Sequence, residues 1–205
     1  LNTDAKKALE ALGVEVKLNT RVTDVKESGV KLDNEFIETS NVIWAAGNEA
    51  SPLIKSLDTD IDNIGRAITK HDCSISDDES VFVIGDASNF RDDNNVLLPG
   101  VAQVAIQQGK YVANIIAKDI APDKRKQFRY IDKGNLATIG ITKAILQKGN
   151  FKLSGFTAWL IWSFVHIMYL ISYRNRYRVM LEWFVLFITK RRGIRLITNL
   201  HSDKN

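Results

Sequence analysis

An α/β fold ending in a basic, aromatic-rich region is what this sequence predicts, on three observations. Short apolar runs of strand length are separated by turn residues and by segments with helical periodicity. One of these runs, Val81–Ile84, leads directly into Gly85 and Asp86, as strands do at the carboxyl edge of an open α/β sheet. Charge is also unevenly placed. Residues 151–205 carry nine Lys and Arg against Glu182 and Asp203, a net +7, whereas residues 1–150 carry 19 against 22, a net −3. A mildly acidic body with a basic tail implies an anionic surface as partner, either membrane or nucleic acid.

Taken in order, Thr3 or Asp4 can cap a short helix through Ala11, with Ala5, Ala8, Leu9 and Leu12 on its apolar side and Gly13 to stop it. Val14–Leu18 and Arg21–Lys26 alternate as strands, and Gly29–Leu32 with Phe36–Thr39 reads as a hairpin. Val42–Gly47 is an apolar strand ending on small residues, an ending that lets a backbone or a flat ligand come close. Ile68 opens a weaker strand, and the acidic Ser76–Ser80 turn leads to Val81–Ile84. After a polar loop, Pro99-Gly100 introduces a helix from Val101 to about Lys118. Pro122 breaks the chain, and Phe128–Ile131, Leu136–Gly140 and Lys143–Leu146 read as short strands.

Cys73 is the only cysteine, which excludes an internal disulfide, a CxxC redox pair and a cysteine-based metal site. The first residues show no initiator Met, basic n-region or apolar h-region, as if the sequence began inside a domain. A piece of a longer protein is therefore expected.

Chemistry gathers around two features. Asp86 at the strand end is either an ordinary turn acid or a carboxylate that holds a hydroxyl-bearing ligand. Downstream, Ala102, Ala105, Gly109 and Ala113 place small residues along one side of a helix, and Gln103 and Gln107, four apart, share a face. Free amides at a helix start favour negative charge, such as develops on a reduced flavin. Taken alone, the helix reads as a surface helix with ordinary polar glutamines. The order of parts points further: a strand ending Gly-Asp, a loop, then a Pro-Gly helix start carrying Ala-Gln.

That order resembles the way the flavin domain closes in flavoproteins with two dinucleotide-binding domains, one for FAD and one for NAD(P). Four stretches make the resemblance specific: VIWAAG, VFVIGDAS, AQVAIQQG and FRYIDKGNLATIG, the last followed by GFTAWLIWSFVHIMYLISYRNRYRVMLEWFVLFITKRRGIRLI. Together they are similar to the C-terminal half of type II NADH dehydrogenases, single-subunit NADH:quinone oxidoreductases that pump no protons. The resemblance implies residues 1–45 as the end of a nicotinamide-binding domain, 46–122 as the C-terminal part of an FAD-binding domain, and 123–205 as a quinone-site and membrane-anchoring region. It implies Ala46, Gly47, Gly85, Asp86, Val101, Ala102 and Gln103 as FAD-binding residues, and Gln107, Gln108 and Lys133 as the quinone and flavin site. NADH would be the substrate, quinone the acceptor, and no metal is needed. Neither GxGxxG fingerprint is present, so both are expected upstream of Leu1 and the 205 residues should not complete either dinucleotide site. A sulfide:quinone oxidoreductase shares the architecture but needs redox cysteines, which Cys73 alone does not supply. A non-catalytic membrane-binding module is the other alternative.

Leu153–Tyr173 contains no formally charged residue, and Met180–Thr189 is a second apolar run broken only by Glu182. Polar residues dilute the first run, so two amphipathic helices joined by Arg174–Arg178 fit interfacial attachment better than a spanning helix. Trp159, Trp162, Tyr169 and Trp183 suit the headgroup depth, with Lys190–Arg192 behind them. His166 reads as a packing residue. Nucleic acid is disfavoured, because the apolar runs would serve no purpose on a polyanion. The resemblance implies a peripheral protein on the cytoplasmic face of a bacterial inner membrane, and it leaves room for a homodimer.

Overall fold

The computed structural model describes residues 2–189 apart from 34, 46, 48 and 141. They group into two compact units, one made of Leu1–Val16 with Gly134–Asn205 and the other of Lys17–Lys133.

The Lys17–Lys133 unit begins with an antiparallel meander of β1 (Val22–Lys26), β2 (Gly29–Leu32) and β3 (Phe36–Glu38). Val30 sits opposite both Val25 and Ile37, and the register slips at Thr23 between Val22 and Asp24. Gly29 is required at the first turn, because its φ is +152° and a Cβ there would come within 2.1 Å of the Ile37 carbonyl oxygen. Two very short parallel strands follow, β4 (Ala67–Ile68) and β5 (Ser88–Asn89). The helix α2 (Ala102–Ala117) completes the unit. Its Val104, Gln108, Val112 and Ile115 are buried, a stripe at spacings of four and three that turns one side of the helix inward.

Two small cores hold this unit. Ile54, Ala67, Ile75 and Val83 form one, and Cys73, Phe90, Val112 and Phe128 the other. In the second, the Phe90 and Phe128 rings meet edge to face at 5.4 Å. A buried ion pair, Arg125 Nη1 to Asp72 Oδ2 at 2.9 Å, ties the Pro122–Lys124 turn region to the Asp72–Ser74 turn. Arg125 also donates to the carbonyls of Glu79 (2.8 Å) and Ile120 (3.2 Å), and its guanidinium lies 4.9 Å from the Phe82 ring centre. Asp72 accepts from the backbone and side chain of Ser74. Burial pushes the Asp72 carboxyl up, but the bonds from Ser74 and Arg125 prevail and hold it below the usual carboxylate value.

In the other unit, α1 (Asn2–Glu10) is followed by a second meander, β6 (Asn135–Ile139), β7 (Lys143–Lys148) and β8 (Phe151–Gly155). Leu136, Leu146 and Leu153 stand in one cross-strand row. Two helices end the described chain, α3 (Phe156–Tyr169) and α4 (Tyr173–Thr189). Helix α3 lies on β7 and β8, with Ala158 fully buried. The helices are zipped by aromatic stacks: Trp162 on Trp183 at 5.5 Å and 4° between planes, and Trp159 on Phe187 at 5.8 Å.

Several expected strands do not form. Val14–Leu18, Val42–Gly47, Val81–Ile84 and Phe128–Ile131 make no ladder among the described residues. The reason differs between them. Val81–Ile84 reaches only an isolated antiparallel bridge, Phe82 with Ser74, through Val83 N–H to the Cys73 carbonyl (3.0 Å) and Ile75 N–H to that of Val81 (3.1 Å). Phe128–Ile131 is held by Phe128 N–H to the His71 carbonyl (2.8 Å) and by a side chain of α2 at Ile131. Val42–Gly47 has no strand beside it, and Ile43 and Trp44 stay 93% and 63% exposed. In the C-terminal region, Arg174–Arg178 does not join the helices but forms the first turns of α4. The turn is Leu170–Ser172, where Ser172 adopts φ +70° and its hydroxyl accepts from Asn175 N–H at 3.4 Å. Nor is α3 amphipathic: Phe156, Leu160, Phe164 and Met168 leave its outer side apolar. Among the described residues, no helix is long and apolar enough to cross a membrane.

Candidate functional site

The candidate site lies within the Lys17–Lys133 unit, where the Gly85–Ala87 turn meets the start of α2. Extended backbone at Ile84 gives way to a single 3-10 turn over Gly85–Ala87, and Gly85 takes the left-handed φ of +64°. A Cβ on Gly85 would approach that of Ala105 to 3.0 Å, and Gly109 faces the Ile84 side chain at 3.6 Å. The small-residue side of α2 therefore admits the chain's own strand end. Asp86, the next residue, is exposed. Its Oδ1 would lie 3.3 Å from a Cβ on Gly100, so glycine at that position leaves room for the carboxylate beside the helix start. Val101 is the N-cap of α2 and supplies no side-chain cap, so first-turn amides are left without that partner.

The two consecutive glutamines point to different places. Gln107 and Ile131 exchange two bonds, Gln107 Nε2 donating to the Ile131 carbonyl and Ile131 N–H donating to Gln107 Oε1, both at 3.0 Å. A side-chain amide thus serves as a strand partner for the segment that ends in the exposed Lys133. Tyr111, one turn further along α2, donates its hydroxyl proton to the Lys126 carbonyl and fixes the same segment upstream. Gln108 is instead wholly buried. Its Oε1 accepts the Gly85 N–H at 2.7 Å. Its Nε2 is buried without a hydrogen-bond partner of normal geometry. The Cys73 thiol is the group it acts on weakly. Burial pushes that thiol up to about 12, the Asp72 carboxylate adds to the rise, and the Gln108 amide opposes it.

Gly85, Asp86, Val101, Ala102, Gln103, Gln107 and Gln108 are thus gathered by one turn and one helix, and Lys133 stands two residues beyond the Gln107 clasp. Gly47, exposed at φ +132°, meets nothing of them, and Ala46 lies outside the described residues. Gln108, implied by the resemblance to lie toward a quinone, is buried with its Oε1 on Gly85. Its place was readable: it lies four residues from both Val104 and Val112, so helical periodicity puts it on the inward stripe. The Asp72–Arg125 pair and the Gly100 contact had no comparable signal, since neither follows from spacing along one element. Among the described residues no cluster of His, Cys, Asp and Glu could hold a metal ion.

The sequence matches the family model described as pyridine nucleotide-disulphide oxidoreductase over residues 2–109, and the chain belongs to that family. The resemblance to type II NADH dehydrogenases is borne out as well, since residues 133–192 match the NDH2 C-terminal domain. The chain is 38% identical over 203 residues to the type II NADH:quinone oxidoreductase Ndh of Mycobacterium tuberculosis, covering 93% of this chain and 43% of that protein. It is 28% identical over 208 residues to the mitochondrial internal alternative NAD(P)H-ubiquinone oxidoreductase A1 of Arabidopsis thaliana, covering 92% and 39%. The solved structure of NDH2 from Plasmodium falciparum in complex with NADH superposes with a TM-score of 0.80, covering 93% of this chain and 55% of that one. At 17% identity, that likeness shows a shared α/β flavoprotein fold. The chain spans less than half the length of these curated relatives.

Proposed function

We propose that the intact protein oxidises NADH through bound FAD and reduces a membrane quinone, working at a lipid surface to which residues 151–205 attach it. The observation that carries this reading is the exposed Asp86 carboxylate set beside Gly100 at the side-chain-uncapped start of α2. An acceptor-only acid beside the positive end of a helix suits a ligand that offers hydroxyls at one end and electron-rich oxygens at the other, as FAD does. Glycines at 85 and 100 let the turn and the Asp86 carboxylate sit close against the helix start. The residues present therefore fit the group. FAD, when bound, supplies the redox chemistry that links a hydride donor to a quinone.

The chain's own residues bind, orient and steer. Asp86 would hold a ribityl hydroxyl by a charge-assisted bond. The helix start, with Val101, Ala102 and Gln103, would favour the negative charge of a reduced ring. Gln107 keeps the segment up to Ile131 closed on α2 and so sets where Lys133 stands, on the side proposed for the quinone. Attachment rests on α3 and α4. Phe156, Leu160, Phe164, Met168, Tyr177 and Phe184 are each half exposed or nearly so, an apolar surface of the kind that marks a membrane or protein contact. Lipid is favoured over nucleic acid by that apolarity, and pairing with a second copy of the chain is the competing use of the same faces.

In the intact protein, Asp86→Ala should weaken FAD binding on the order of tenfold to a hundredfold, the worth of one charge-assisted hydrogen bond. Equilibrium dialysis of the apoprotein with FAD measures it, and unchanged affinity would remove the basis of the reading. Stopped-flow traces separate the half-reactions. Gln107→Leu should leave flavin reduction by NADH intact and slow reoxidation by quinone roughly tenfold, through loss of two bonds on the Lys133 segment. A loss confined to the NADH step would place Gln107 on the nicotinamide side.

A further inference from the structure

We propose that Gln108 is a positioning residue for the flavin: its buried amide locks the Gly85–Asp86 turn and thereby aims the Asp86 carboxylate. This rests on the reading that Asp86 holds FAD. The argument begins with glycine itself. Gly85 must be glycine, because its φ is +64° and a Cβ would press on Ala105 at 3.0 Å. Glycine, however, visits many backbone conformations at little cost, so the residue that permits the turn cannot also select it. Selection falls to the one side chain that grips it. Gln108 Oε1 accepts the Gly85 N–H at 2.7 Å, across 23 residues of sequence and inside the protein. That bond fixes the Ile84–Gly85 peptide, from which the turn carrying Asp86 departs, and a rotation there would swing the carboxylate away from Gly100.

Beyond Gly85, Gln108 acts only weakly, on the Cys73 sulfur. It occupies the inward stripe between Val104 and Val112, where an apolar side chain would meet no desolvation cost. Its Nε2 is buried without a partner of normal geometry, the weak contact with Cys73 apart. A half-satisfied amide of this kind is at best a neutral contributor to stability. Its definite effect is directional.

The test uses the intact protein, stripped of flavin and titrated with FAD. Gln108→Met keeps the size and removes the acceptor, and FAD binding should weaken by about tenfold, the scale of one buried hydrogen bond. Gln108→Glu keeps an acceptor oxygen at the same reach and should stay within about threefold of the parent. Because Gln108 acts through Asp86, adding Gln108→Met to Asp86→Ala should cost nothing further, a non-additivity that general destabilisation would not produce. Tight FAD binding by Gln108→Met beside weak binding by Asp86→Ala overturns the proposal and leaves the Asp86 reading standing. Tight binding by Asp86→Ala overturns both. An equal extra loss in the double variant assigns Gln108 a structural role and overturns the proposal. Should Gln108→Met fail to fold, Gln108→Glu decides: near-parental affinity supports the acceptor role, and a tenfold loss overturns it.

Discussion

The two units invert each other's use of polarity. In the Lys17–Lys133 unit, polar groups are buried and individually gripped: Gln108 by Gly85, and Asp72 by Arg125 and Ser74. In α3 and α4, apolar groups are exposed, with Phe164 and Phe184 each more than three-fifths accessible. A buried polar group demands a partner at one distance and angle, so it specifies geometry. An exposed apolar surface demands only area, so it specifies a kind of neighbour. The difference suits the roles proposed for them, a cofactor turn that must be aimed and a face that must meet lipid wherever it lies.

The sharpest way to break this comparison is at the buried pair. Removing one partner strands the other, so Arg125→Met should lower the stability of the intact protein by about 3 kcal/mol. Asp72→Leu with Arg125→Met should recover much of that, because no buried charge remains. Urea unfolding at pH 7 measures both, and a single variant no worse than the double would mean that the pair is not costly to split. The pair also has an acid limit. The Asp72 carboxyl is held below the usual carboxylate value, so its contribution is fully present above that usual value and is lost as pH falls through the lower folded one. The gap between parent and the double variant should therefore close in acid.

The exposed faces should respond in the opposite manner. Phe164→Ser and Phe184→Ser should each change stability in solution by less than about 0.5 kcal/mol. Each should nevertheless reduce binding to lipid vesicles by roughly 1.5–3 kcal/mol per fully inserted ring. Flotation with anionic and neutral vesicles reads this directly. Unchanged flotation together with loss of a dimer on a sizing column would give the faces to a second copy of the chain. The arginines should divide less evenly than their clustering suggests. Arg176 donates to the Leu170 carbonyl at 3.0 Å and lies 5.1 Å from the Tyr173 ring centre, and Arg178 pairs with Glu182 at 3.0 Å.

Legibility in the sequence followed the range of the interactions. Helix α2 and the hairpin strands β2 and β3 were readable to within about a residue, because periodicity and turn chemistry act within a few residues. Strand β8 is hidden in the sequence because Leu153–Gly155 is continuous with the uncharged run that follows it. Val42–Gly47 and Val81–Ile84 look like strands, yet a ladder is a property of two segments and alternation describes only one. The candidate site divided in the same way. Asp86 and Gln107 stood out as chemistry on a recognisable strand end and helix face. The division of labour between Gln107 and Gln108 did not, since it depends on which remote backbone each amide reaches, Ile131 or Gly85.

Cys73 carries a consequence of a different kind. The only thiol of the 205 residues is sealed in the core that Phe90, Val112 and Phe128 form, on the amide that grips Gly85. A sealed thiol reacts with a reagent only while its surroundings are open, so its labelling rate counts openings. The chain thus carries its own clock, placed one side chain away from the turn proposed to bind the cofactor. Whatever tightens that turn, whether a ligand, a neighbouring mutation or a change of salt, is recorded as a slower tick at a single sulfur atom.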